Sequence, residues 1–158
     1  MTSLEIDVQF ATRRAGVPHA QTLRSWAFAA LRGGGGGSRR PLSLAIRIVD
    51  AAESRRLNRN WRGKDKPTNV LSFPADLPPA SSLQPKAAPL GDLAICAPVV
   101  AREAREQGKS AQAHWAHMVI HGVLHLLGYD HENDGDAVRM ESLEIRILEQ
   151  LGYSNPYA

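Results

Sequence analysis

The 158-residue chain holds a single cysteine, Cys96. One thiol excludes an internal disulfide and any Cys-rich zinc module, and it suits a reducing compartment. Cys96 itself reads as a small buried apolar residue in a strand. No apolar run approaches the roughly 18 residues that a membrane helix needs. The opening residues, Met1-Thr-Ser-Leu-Glu-Ile-Asp-Val8, lack the basic-then-apolar order of a secretory leader. A cytoplasmic protein with no membrane contact is therefore expected. Five glycines run from Gly33 to Gly37, followed by Ser38-Arg39-Arg40. The Gly-Lys-Ser/Thr of a phosphate-binding P-loop is missing, so the run reads as a flexible surface loop. No internal repeat appears, and no linker demands a second domain. Residues 1–158 are expected to form one domain, with 33–40 as its flexible Gly-rich loop.

What is present fits an ordinary globular chain, with 43% hydrophobic and 22% charged residues and a length sufficient to bury a core. The formal charge of +3 suits an anionic partner without identifying one. Leu4, Ile6, Val8 and Phe10 alternate with polar residues, and so do Leu42, Leu44, Ile46 and Ile48 with their neighbours. Both read as strands. Further strands are expected at Thr68–Phe73 and Gly91–Ala97. Helices are expected over His19–Arg32, from the capping pair Asp50 and Glu53 to about Arg59, over Pro98–Gln107, Ser110–Leu127 and Asp136–Leu151. Ser110 is the expected N-cap of the fourth helix. The prolines between Pro74 and Pro89 mark an irregular loop. The pattern predicts an α+β domain: a mixed sheet of about four strands packed with about five helices.

The densest chemistry lies in His121-Gly-Val-Leu-His125-Leu-Leu-Gly128-Tyr-Asp-His131. Helical spacing puts His121 and His125 on one face, one turn apart. Gly128 offers a left-handed residue that ends the helix and lets His131 return to them. Three imidazoles with one position open make a catalytic zinc site instead of a closed structural one. His114 and His117 share the same face. His114 stands eleven residues from His125, about 16 Å along a helix, too far to share an ion. The pair His117 and His121 has suitable spacing, but the turn at Gly128 favours His121 and His125. His114 and His117 are therefore expected in core packing or in support of the ligands. Imidazole donors favour zinc over magnesium, while nickel, copper and cobalt stay open on ligand type alone. Asp130 is equally suited to orient His131 or to close a turn. Metalloproteases of this spacing carry a Glu base directly after the first His. Gly122 stands there, which removes the peptidase reading and leaves the metal chemistry.

Arg55, Arg56, Arg59, Arg62, Lys64 and Lys66 crowd one segment, with Asp65 the only acid among them and Trp61 inside it. A solvated basic face is the plainer reading. A metal site in the same chain favours phosphate binding, with base stacking open to Trp61. The block Leu57-Asn58-x-x-Trp61-Arg62-Gly63-Lys64-Asp65-Lys66-Pro67-Thr68-Asn69-Val70-Leu71-Ser72-Phe73-Pro74 is distinctive. With Leu90-Gly91-Asp92-Leu93, Ala113-His114-Trp115-Ala116-His117 and the histidine motif, it resembles the bacterial YbeY family of rRNA-maturation endoribonucleases. The resemblance runs from the first strand to Tyr157.

That resemblance implies a zinc-dependent, single-strand-specific endoribonuclease acting in 16S rRNA 3′-end maturation, ribosome assembly and ribosome quality control. It places one zinc ion on His121, His125 and His131 and the functional arginine on Arg62. The implied partners are single-stranded RNA, rRNA and ribosomal particles, with ribosomal proteins or assembly GTPases beside them. The chain departs in having Trp61 where a tyrosine is usual, and in its Gly33–Gly37 insert. Two other readings share the metal site: a zinc hydrolase of amides or small esters, and a non-enzymatic assembly factor in which zinc only holds the fold. The basic segment and Gly122 speak against the first, and the lack of a nearby fourth ligand against the second.

Overall fold

The computed structural model describes residues 4–35, 41–75, 88–130 and 132–158. Among them the chain forms a single α+β domain with a four-stranded mixed sheet and five helices. In order these are β1 (Leu4–Ala11), α1 (Ala20–Gly33), β2 (Leu42–Val49), α2 (Ala51–Arg62), β3 (Val70–Pro74), β4 (Ala88–Cys96), α3 (Ala97–Glu106), α4 (Ala111–Leu126) and α5 (Asp134–Gln150). None of the helices is long and apolar enough to cross a membrane.

The strand order is β1-β2-β4-β3. β1, β2 and β4 run parallel, and β3 lies antiparallel on the edge beside β4. Helix α1 makes the crossover that parallel strands require. Alternation in β2 sends Leu44, Ile46 and Ile48 into the core, where they meet Leu23, Trp26, Trp115 and Val119. Helix α4 packs on β3 and β4 and against α1, α3 and α5. It is buried on nearly every side, which explains why its apolar residues do not form one stripe. Cys96 is buried at the end of β4.

Several boundaries differ from the sequence expectation for identifiable reasons. Helix α2 runs to Arg62 instead of stopping near Arg59, because Gly63 supplies the left-handed cap at φ 71°. Strand β3 starts at Val70: Thr68 is held by Ser54, whose hydroxyl accepts the Thr68 N–H at 3.0 Å. Pro89 belongs to β4, beside a register shift between Ser43 and Leu44. A bulge is where a strand tolerates a residue without an N–H. Gly33 belongs to α1 and Gly34 is its C-cap. Gly33 ends α1 with Ile147 Cγ1 2.5 Å from where a Cβ would stand, and Gly34 meets Leu127 and Leu124 similarly. The rest of that insert, residues 36–40, and most of the proline-rich segment, residues 76–87, lie outside the described residues.

Candidate metal centre and cleft

Helix α4 begins where expected. The Ser110 hydroxyl accepts the Ala113 N–H at 3.1 Å, satisfying a donor that the first turn leaves over. It ends at Leu126, and Gly128, whose φ of 102° suits glycine, turns the chain away. There the Gly128 N–H reaches the His125 carbonyl and the Tyr129 N–H reaches that of Leu124, at 3.0 and 3.1 Å. The chain therefore turns two residues after His125. His131 lies outside the described residues. Asp130 Oδ1 accepts the Glu132 N–H at 3.1 Å, a bond of the kind that closes a turn.

Four imidazoles climb α4. Ring centroids stand 6.1 Å apart for His114 and His117, 6.2 Å for His117 and His121, and 4.7 Å for His121 and His125. The last two line a cleft of about 370 Å³ with Trp61, Arg62 and the segment Thr68 to Ser72. The other two are buried inside. His114 Nε2 meets Glu103 Oε1 at 2.9 Å, and Asn69 Nδ2 donates to the same carboxylate at 3.1 Å. Burial lowers the His114 pKa, and the contact with Glu103 opposes this only in part. This pair ties the start of β3 to α3 and α4.

His117 faces Glu144, a residue that sequence reasoning missed. Glu144 on α5 has no exposed surface. Its Oε1 lies 2.5 Å from His121 Nδ1, and its Oε2 lies 2.5 Å from the Tyr157 hydroxyl and 3.4 Å from His117 Nε2. Burial pushes this carboxyl up, but hydrogen bonds from His117 and His121 outweigh it and bring the pKa down to about 2. Glu144 is thus an anion at neutral pH. Burial and the bond to Glu144 raise the Tyr157 phenol. Ligand atoms of His117, His121 and Glu144 all fall within 4.8 Å of one another, close enough to form a candidate metal cluster. One signal in the sequence pointed to Glu144. It is the one acid at a core position of α5, among Met140, Ile147 and Leu148.

The opposite wall comes from α2 and the loop after it. Asp50 caps the helix by accepting the Glu53 N–H at 2.8 Å. Glu53 does not complete the reciprocal cap, because its carboxylate grips Arg47 at 2.6 and 3.1 Å. Beyond Gly63 the loop folds back onto the helix. Buried Asn58 donates to the Lys66 carbonyl at 2.8 Å, and Arg55 grips Asp65 through two bonds of 2.8 and 2.9 Å. Of the six clustered cations, Arg62 is the one that lines the cleft among the described residues. Trp61 is 56% exposed and rests on Phe73, ring centroids 5.1 Å apart.

Position 122 faces the sheet. A Cβ on Gly122 would stand 2.8 Å from Leu93 Cδ2 and 3.2 Å from Val70 Cγ2. Ser72 donates to the Gly122 carbonyl at 3.1 Å. A peptidase glutamate has no room there.

Comparison with known proteins places the chain among relatives of one name. The profile of the family described as Endoribonuclease YbeY matches residues 11–152. The Endoribonuclease YbeY of Stenotrophomonas maltophilia is 56% identical over 155 residues, covering 98% of this chain and 94% of that one. The protein of the same name from Alkalilimnicola ehrlichii is 56% identical over 156 residues, covering 98% and 92%. Among solved structures, the solution structure of TM1509 from Thermotoga maritima superposes with a TM-score of 0.59 at 25% identity, over 92% of this chain and 88% of that one.

Proposed function

The chain belongs to the YbeY family of endoribonucleases, and from that premise we propose that it cuts phosphodiester bonds of single-stranded RNA in the cleft between α2, β3 and α4. The observation that carries this reading is the presence of Arg62 in one cleft with His121 and His125. We further propose that one zinc ion is held there by His121, His125 and His131.

The donor chemistry of the described residues fits such an ion. Ionised Glu144 can only accept, so His121 must donate its Nδ1–H to it. In a ring that carries only this proton the lone pair is on Nε2, the form a metal ligand needs. The alternative set of His117, His121 and Glu144 fits less well. Two donors bound at roughly 2.0–2.1 Å to one tetrahedral ion stand about 3.3 Å apart, whereas Glu144 Oε1 and His121 Nδ1 are 2.5 Å apart. That is a hydrogen bond between support and ligand. When bound, zinc with an open position supplies Lewis acidity and a nucleophile at neutral pH.

The protein's own side chains do the remaining work. The Arg62 guanidinium offers a planar fork to the scissile phosphate and offsets the charge that grows on it during cleavage. Trp61, backed by Phe73, gives a flat face for an unpaired base, which favours single strands over duplexes. The remaining cations draw the RNA backbone toward the cleft. The substrate in the cell is proposed to be the 3′ end of 16S rRNA. Ribosome assembly and quality control are the wider setting, the location is cytoplasmic, and ribosomal particles, ribosomal proteins or assembly GTPases are the partners.

Metal analysis with cleavage of a single-stranded pre-rRNA fragment tests the reading. The parent should bind one zinc and cut, and chelation should stop cleavage without unfolding the protein. Arg62→Ala should keep zinc and lose cleavage, and His125→Ala should lose both. Full cleavage by a folded, zinc-free protein would refute the metal reading.

A further inference from the structure

We propose that Glu144 is a positioning residue for His121, held in place by His117 and Tyr157, so that these three side chains set the metal affinity of the cleft without touching metal or RNA. This rests on the ligand reading above. A fully buried carboxylate is costly unless its oxygens are satisfied, and an apolar residue of similar volume at such a site is usually no less stable. The neighbouring inward positions on α5, Met140, Ile147 and Leu148, are apolar. The fold alone therefore gives no reason for an acid at 144. What the acid does is specific. Oε1 takes the Nδ1–H of His121 and thereby selects its tautomer and ring rotation. A carboxylate behind a ligating imidazole also makes the opposite nitrogen a better donor.

His117 and Tyr157 complete the device. His117 is buried, its Nδ1 has no hydrogen-bond partner, and its Nε2 faces Glu144 and the Tyr157 hydroxyl at 3.4 and 3.2 Å. Its ring packs edge-on against Tyr157, centroids 5.4 Å apart. His117 thus serves Glu144 instead of the cleft. Tyr157 donates to Oε2, which leaves Oε1 for His121. The C-terminal segment is in this way linked to a cleft residue 36 positions earlier through one carboxylate.

The test measures zinc affinity by competition with a chromophoric chelator in the parent, His125→Ala, Glu144→Gln and Tyr157→Phe. It adds imidazole 15N spectra of the zinc-loaded protein and melting of the metal-free forms. Glu144→Gln keeps the shape and an acceptor oxygen but removes the charge. It should bind zinc about 10- to 100-fold more weakly and lower kcat more than it changes KM for an RNA oligonucleotide. Tyr157→Phe should weaken zinc binding by a smaller factor. In the parent spectrum His121 should keep Nδ1–H and ligate through Nε2. Parent-like zinc affinity in Glu144→Gln would overturn the proposal. So would ligation of His121 through Nδ1, or loss of zinc in Glu144→Gln as complete as in His125→Ala, which would make Glu144 a ligand. If Glu144→Gln fails to fold, parent-like affinity in Tyr157→Phe is the overturning result. Undiminished zinc in His125→Ala would instead refute the underlying ligand reading.

Discussion

Gly122 illustrates how a single absent side chain has two causes. The residue after the first histidine of a peptidase motif is a glutamate, and here the sheet leaves no space for one. Leu93 is buried beneath it, and its Cδ2 would lie 2.8 Å from a new Cβ. Gly122→Glu should therefore destabilise the protein by about 3 kcal/mol or more through overpacking and a buried charge, read as a lower urea midpoint, and should produce no peptidase. Arg62 sits at the opposite extreme, exposed and free of such packing demands. Arg62→Ala should leave the urea midpoint within about 0.5 kcal/mol. It should lower kcat/KM on single-stranded RNA by about 100-fold or more, the size expected for losing one charge-stabilising donor. Zinc content should not move.

At the scale of elements, the cleft depends on where helices stop. Gly63 ends α2 with φ 71° and ψ 18°, and nothing lies within 4 Å of its missing Cβ. Gly63→Ala should thus cost only the left-handed strain, about 1 kcal/mol, measured by denaturant unfolding. Because the same cap orients Trp61 and Arg62, KM for RNA should rise while zinc affinity stays. Gly91 has a harder task. A Cβ there would lie 2.4 Å from the Phe73 carbonyl oxygen and 2.8 Å from Leu126 Cδ2. Only glycine lets β3 approach β4 and the end of α4 this closely. Such close approach brings the Thr68–Ser72 wall beside His121 and His125.

Across the whole molecule, Glu144 makes metal-free stability depend on pH. Its pKa falls from 4.5 to about 2 on folding. A depressed carboxyl contributes stability above the unfolded pKa and loses it as pH falls through the folded one. The parent should lose stability more steeply than Glu144→Gln between about pH 4.5 and 2, as followed by urea unfolding of the metal-free proteins. RNA binding should weaken with salt, since single-strand phosphate contacts each contribute about 0.7 to the log–log slope. Arg62→Ala should reduce that slope by about this amount, and Arg55→Ala by less, because Asp65 already holds Arg55.

What the sequence determined by itself is the chemistry that acts over a few residues. The caps at Asp50 and Ser110, the break at Gly128, the alternation in β1 and β2 and the shared face of His121 and His125 all follow from local spacing. Each is decided by neighbours within a turn, so short-range rules suffice. Only the tertiary structure decided which of those groups meet. Glu144 lies 23 residues from His121 and 27 from His117, and no local period links them. Apart from the family resemblance the same holds for Arg62, one cation among six until α2 packs on β4 and α3 while β3 packs on α4, which brings it into one cleft with the histidines. Packing of buried surfaces made these choices, and it pairs residues by shape and desolvation instead of distance along the chain.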